Sequence, residues 1–126
     1  MTLFYGVSVI VVAGGYSSQN YRSVEAISSD GSPLCTLPDL PDDRRQHTMD
    51  NEIICGGFGT QSSCLYYVAG KWVEYINDLQ IKRTAHVSWR RPDNDVILIG
   101  GEKSKKTSEV VSSSGHQKGF YIQHEV

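Results

Sequence analysis

Three stretches of the chain are apolar almost without interruption and each runs into a pair of glycines: Val9 to Ala13 before Gly14-Gly15, Glu52 to Cys55 before Gly56-Gly57, and Asp95 to Ile99 before Gly100-Gly101. A strand with one wet face alternates polar and apolar side chains, so runs of this kind predict strands covered on both faces. Four or five residues ahead of a glycine pair are too few for a buried helix. The pairs begin at 14, 56 and 100, so the unit recurs every 42 or 44 residues, the span of a four-stranded antiparallel sheet.

What flanks each pair recurs as well. A short polar loop leads into Ser23 to Ile27, Ser63 to Val68 and Ser108 to Val111, rich in β-branched, aromatic or aliphatic residues. Small-residue turns follow at Ser29 to Ser32, Ala69 to Lys71 and Ser113 to Gly115, and then Leu34 to Leu37, Trp72 to Ile76 and Phe120 to Ile122 as outer strands. Asp30-Gly31 suits a tight hairpin, because glycine accepts positive φ without steric cost. The second and third units open on the same spacing, Arg44-x-x-His47 and Arg83-x-x-His86. Each full unit therefore reads as strands A, B, C and D, with the glycine pair closing B, and the units divide the chain at about 1–40, 41–79 and 80–126. The first has no room for strand A.

An apolar run ending in Gly-Gly, a following aromatic or polar residue, a Tyr67 and Trp72 pair and a leading Arg together resemble the kelch repeat. The likeness covers about Val7 to His124 and is closest to the kelch-type propellers of the galactose-oxidase superfamily. It implies an all-β fold, a partial β-propeller of about three four-stranded antiparallel blades in an incomplete ring. Unlike the family pattern, the first unit offers Ile27 with Leu34, and the third Val111 with Phe120, where the aromatic pair belongs. Propellers close with four to eight blades, so the outer faces of the first and last units are expected to stay open. Either the chain is a piece of a longer propeller or it is an open arc that self-associates.

Meander geometry puts the B–C and D–A loops on one rim. In kelch proteins that rim resembles the ligand-binding face, and the matching positions are Tyr16, Arg44, Phe58, Arg83 and Glu102. Arg44 and Arg83 would offer forked donors to a partner's carboxylate. Against this, a residue recurring at equivalent positions usually belongs to the architecture, each arginine pinning its own loop through backbone carbonyls with its histidine as helper. The resemblance implies a non-catalytic module that binds a protein, or a glycan, without a cofactor. The alternatives are a piece of a galactose-oxidase-type copper oxidase, for which no motif here assigns ligands, and a BTB-kelch ubiquitin-ligase adaptor.

Composition narrows the partners. Twelve Lys+Arg against fourteen Asp+Glu leave a net charge of -2, which gives no long-range field to gather nucleic acid or anionic lipid. The short basic clusters, Arg44-Arg45, Arg90-Arg91 and Lys103 with Lys105 and Lys106, read as solvated loops. The longest apolar stretch, Leu3 to Ala13, is too short to span a bilayer, and no Lys or Arg before Tyr21 supplies the basic start of a secretory signal. The histidines at 47, 86, 116 and 124 show no metal-ligand spacing, and no glycine-rich nucleotide loop or nucleophile elbow is present. Three cysteines cannot all pair within one chain. Folding the B–C hairpin about residues 59 and 60 sets Cys55 opposite Cys64, within reach of a disulfide; the alternative is two reduced core thiols. An oxidised pair would favour an extracellular location.

Overall fold

The computed structural model describes residues 9–19, 21–50, 52–60, 62–102 and 106–112, and the backbone of 124–125. Among them there is no helix. Eleven strands form three antiparallel sheets, each a meander in chain order. Sheet 1 holds β1 (Val9–Ala13), β2 (Val24–Ser28) and β3 (Pro33–Leu37). Sheet 2 holds β4 (Thr48–Asp50), β5 (Ile53–Cys55), β6 (Cys64–Val68) and β7 (Lys71–Glu74). Sheet 3 holds β8 (Val87–Arg90), β9 (Val96–Ile99), β10 (Thr107–Val111) and β11 (His124–Glu125). The expected outer strand Phe120 to Ile122 lies outside the described residues, and the fourth strand described in sheet 3 is β11.

The turns are built from the residues that turns need. In the β2–β3 hairpin Gly31 sits at φ 88°, its N–H donating to the Ser28 carbonyl over 2.9 Å. Hydroxyls of Ser28 and Ser32 and the Ser32 N–H all donate to the Asp30 carboxylate, which those bonds hold down at a pKa of about 2. Tyr67 and Trp72 face each other across the β6–β7 hairpin with ring centroids 5.1 Å apart and edge to face.

Sheet 2 lies between the other two. Ile54 and Leu65 point to one side and pack with Val24 and Leu40 of the first unit. Ile53, Cys55, Cys64 and Tyr75 point to the other and pack with Val96, Leu98 and Val111 of sheet 3. Period-two alternation thus gives β5 two dry faces, as its unbroken apolar run predicts, and each fully buried aliphatic side chain contributes roughly 1.5–3 kcal/mol. The end sheets are dry on one face only. Ile10 and Val12 remain 49% and 50% exposed on sheet 1; Val87, Trp89 and Ile99 remain 63%, 53% and 45% exposed on sheet 3. Their apolar runs carry the composition of a two-sided strand, but among the described residues no sheet covers the second side.

Two further ties join neighbouring sheets. Trp72 Nε1 donates to the Pro38 carbonyl over 3.0 Å, and the Tyr75 hydroxyl to the Ser112 carbonyl over 3.1 Å. Within sheet 2, Cys55 and Cys64 are register partners and their sulfurs are bonded, while Cys35 is free and exposed.

Candidate functional site

The rim where the loops meet is organised by the two repeated arginines, and each does the same thing. Arg44 lies in the connection from sheet 1 to sheet 2. Its carbonyl accepts the Gly15 N–H of the sheet behind it over 2.7 Å. Its guanidinium reaches the glycine turn of the sheet ahead, Nη1 donating to the Gly56 and Ser63 carbonyls (3.0 and 3.1 Å) and Nη2 to Ser63 Oγ (2.6 Å). Arg83 repeats the arrangement one unit on. Its carbonyl takes the Gly57 N–H over 2.9 Å, and its guanidinium donates to the Gly100 and Thr107 carbonyls (2.7 and 3.1 Å) and to Thr107 Oγ1 (2.9 Å).

Both side chains are fully buried. They cannot meet a partner, so the expectation that Arg44 and Arg83 are binding residues gives way to the architectural alternative. The reading of Arg44 as part of a solvated basic cluster is corrected with it. A guanidinium has five N–H donors in a rigid fork and tolerates burial only if they are satisfied, which turn carbonyls do.

Their counter-ions differ. Arg44 Nε donates to Asp42 Oδ1 over 2.8 Å, and Asp42 is partly exposed on the same loop. Arg83 Nε donates over 2.8 Å to Glu109 Oε2 on β10, a carboxylate as buried as the arginine, whose Oε1 also takes the Gln80 N–H at 2.7 Å. In sheet 2 the position equivalent to Glu109 is Leu65. Neither carboxylate was apparent as a partner in the sequence, because the second unit carries Leu65 where the third carries Glu109, and the third carries Ile81 where the second carries Asp42.

At Gly14, Gly56 and Gly57 the loops press directly on the glycine turns. Gly14, Gly56 and Gly100 share φ of 66, 68 and 67°, and Gly15, Gly57 and Gly101 share 114, 104 and 118°. A Cβ on Gly56 would stand 2.5 Å from the Arg83 carbonyl oxygen and 2.8 Å from His86 Cε1; one on Gly14 would stand 2.6 Å from the Arg44 carbonyl oxygen. The histidines of the Arg-x-x-His spacing therefore pack on the preceding glycine turn. His86 Nε2 is 2.8 Å from Thr48 Oγ1, tying the loop before β8 to β4.

Burial pushes the pKa of His86 down to about 4, with the Arg83 guanidinium and His47 adding to the shift. Burial also lowers His47, partly offset by a bond to the Ala13 backbone. An imidazole that stays neutral in the folded protein but protonates near 6.5 when unfolded makes the unfolded state bind more protons. Stability should therefore be insensitive to these groups above about pH 6.5 and fall as pH drops from there towards 4. A urea midpoint that declines between pH 7 and 5, and declines less in His86→Gln, is the expected result; identical slopes for the two proteins would show that His86 titrates normally.

The remaining expected residues divide. Tyr16 and Phe58, one position beyond their glycine pairs, are 59% and 50% exposed and both face Arg45, whose guanidinium carbon lies 4.5 Å from the first ring centroid and 4.2 Å from the second. Arg45 is thus clasped between two aromatic faces, a cation–π arrangement worth about 0.5–2 kcal/mol per ring. Its Nε has no acceptor among the described residues, so the rings hold it. Its carbonyl accepts the Phe58 N–H over 2.8 Å. Glu102 occupies the same place on the third turn, exposed, its N–H on the Thr84 carbonyl over 2.9 Å, outside the stack.

Arg45 was missed in the sequence because it reads as one half of a basic doublet. A signal was available: the position after the repeated arginine is Arg45 in one unit and Thr84 in the next, so only the second arginine of the doublet is free of the architectural pattern. In the loop that follows Phe58 the rim carries a polar hollow lined by Gly59, Thr60, Ser62, Glu74, Asp78 and Lys82. Among the described residues no three His, Cys, Asp or Glu side chains gather as a metal site. Comparison with known protein families and with curated proteins returns no match to this chain.

Proposed function

We propose that the three sheets are successive blades of a kelch-type β-propeller segment and that the protein is a non-catalytic interaction module, holding a protein or glycan partner on the rim formed by the B–C and D–A loops. The observation that carries this reading is the Tyr16–Arg45–Phe58 stack. Exposed aromatic faces around an arginine are the composition of an interface hot spot, where large rigid surfaces and a forked cation are joined at little entropic cost. Among the described residues the stack occurs once, between the first and second turns, whereas the buried arginines recur; a recurring residue holds the scaffold and a solitary one selects a ligand. The hollow of the following loop, with acceptors at Glu74 and Asp78 and a donor at Lys82, suits peptide backbone or sugar hydroxyls.

The blade reading is supported by the closely matching φ pairs of the three turns, by the arginine that bridges each turn to the next, and by the sideways packing of the sheets. A closed ring needs at least four blades, so the segment belongs to a larger ring or is completed by another chain. The Cys55–Cys64 bond fits an oxidising compartment.

Peptide display and a glycan array, screened with the wild-type chain, test the rim. Ligands so selected should lose tenfold or more in affinity for Arg45→Ala and for Phe58→Ala. Both variants should still unfold cooperatively in urea, giving up no more than the ring contacts that Arg45 makes with Tyr16 and Phe58. Selected ligands that bind all variants equally would remove the rim as the binding surface.

A further inference from the structure

The face of sheet 1 that points away from sheet 2 carries half of an arginine site. Aligning the sheets on their glycine pairs makes Gly14, Ser23 and Glu25 equivalent to Gly100, Thr107 and Glu109. The equivalence is structural. Gly14 and Gly100 share the same φ, the Gly14 N–H donates to the Ser23 carbonyl as the Gly100 N–H donates to that of Thr107 (both 2.9 Å), and Glu25 pairs with Val12 as Glu109 pairs with Leu98, each two residues before the first glycine. In sheet 3 this constellation of two carbonyls, a hydroxyl and a carboxylate holds the guanidinium of Arg83.

In sheet 1 the same groups face outwards. Glu25 and Ser23 are exposed, and Val12, the counterpart of fully buried Leu98, is half-exposed beside Ile10. Among the described residues the edge next to them is unpaired too. β5 and β9 are each flanked by a strand that follows an Arg-x-x-His loop, β4 and β8, whereas β1 pairs only with β2 among the described residues. Nor do residues 1–8 contain an arginine.

We propose that this face is a receptor for a partner polypeptide that adds an extended strand along β1 and places an arginine on Glu25, Ser23 and the Gly14 carbonyl. The occupant is identified by charge and by repetition. A carboxylate two residues beyond a hydroxyl, on the strand after a glycine pair, is what Arg83 selects, and an added strand supplies main-chain bonds while its arginine sets the register. The apolar strip of Ile10 and Val12 calls for aliphatic or aromatic side chains on the same strand. This inference rests on the equivalence of the sheets that underlies the blade reading, not on the rim.

The probe is a capped peptide of this chain's own residues 79–92, which contains Arg83, His86 and the β8 sequence, labelled and titrated with the full chain by fluorescence anisotropy. Its control is the same peptide with Arg83→Ala, which keeps Lys82, Arg90 and Arg91. The expected result is saturable binding that weakens tenfold or more for the control peptide, and equally for the full-length Glu25→Gln variant, whose exposed side chain leaves the unfolding midpoint unchanged. No binding, or binding indifferent to either change, overturns the proposal. So does a chain that excludes the peptide by self-associating and becomes monomeric in Glu25→Gln, which would give the face to a second copy. Glu109→Gln separates this failure from that of the underlying equivalence: if it leaves the stability of the chain untouched, the arginine site itself has been misread, whereas a destabilised Glu109→Gln with a silent peptide sinks only the receptor.

Discussion

Replacing Arg83 by Met should destabilise the protein by about 3–5 kcal/mol, the largest effect expected from any single side chain here, because it strands the fully buried Glu109 carboxylate without its cation. The loss also removes the guanidinium's bonds to the Gly100 and Thr107 carbonyls. Glu109→Leu should do comparable damage from the other side. The two arginine sites offer a more discriminating test. Sheet 2 solves the same problem with Leu65 on the strand and Asp42 two residues before Arg44; sheet 3 has Glu109 on the strand and Ile81 two residues before Arg83. Adding Ile81→Asp to Glu109→Leu transplants the first solution into the second site. Equilibrium unfolding in urea should show the double variant recovering at least half of the loss. A double variant no more stable than Glu109→Leu alone would mean that the two sites are not interchangeable.

Gly56→Ala is the second large effect, at about 2–5 kcal/mol. A positive φ of 68° costs an L-residue roughly 1–2 kcal/mol. Overpacking adds about 1–3 kcal/mol, since the new methyl would sit 2.5 Å from the Arg83 carbonyl oxygen. That oxygen is backbone and is itself held by the Gly57 N–H, so it cannot yield without parting the turn of sheet 2 from the loop that leads into sheet 3. Gly70→Ala is the control. It carries a similar φ of 78° in the β6–β7 hairpin but has open space around the added carbon, and should lose only the conformational part, about 1–2 kcal/mol. Equal losses at the two positions would show that backbone strain alone accounts for the glycine pair and that the close approach is unimportant.

These two variants probe one device from opposite ends. The arginine passes through the space between two glycine turns, its carbonyl on one and its guanidinium on the other, and the absence of a Cβ on the first glycine is what lets the loop come so near. Sheets that would otherwise associate only through apolar faces are thereby fixed in relative position at the rim, where Tyr16, Arg45 and Phe58 are displayed.

Much of this was legible in the chain itself. The glycine pairs, the apolar runs before them and the period between them located β1, β5 and β9, and the small-residue turns located most of the remaining strands. The register that sets Cys55 against Cys64 follows from the hairpin. The rim positions Tyr16, Phe58 and Glu102 could be named because position within a repeat fixes which end of a sheet a residue occupies. Arg44 and Arg83 could be placed but not assigned, since a recurring arginine in a loop reads the same whether its side chain turns inwards or out.

What the amino-acid sequence determined alone is therefore whatever depends on local period and spacing: strand against helix, the antiparallel meanders, the turns, and the equivalence of the units. The tertiary structure decided everything that depends on which groups from distant parts of the chain share a space. It turned Arg44 and Arg83 into the interior, chose Asp42 for one and Glu109 for the other, pressed His86 against Gly56, and brought Arg45 between two rings that lie 29 residues behind and 13 ahead of it in the chain. Charge compensation and close packing are satisfied by proximity in space, for which the linear order of residues sets no period.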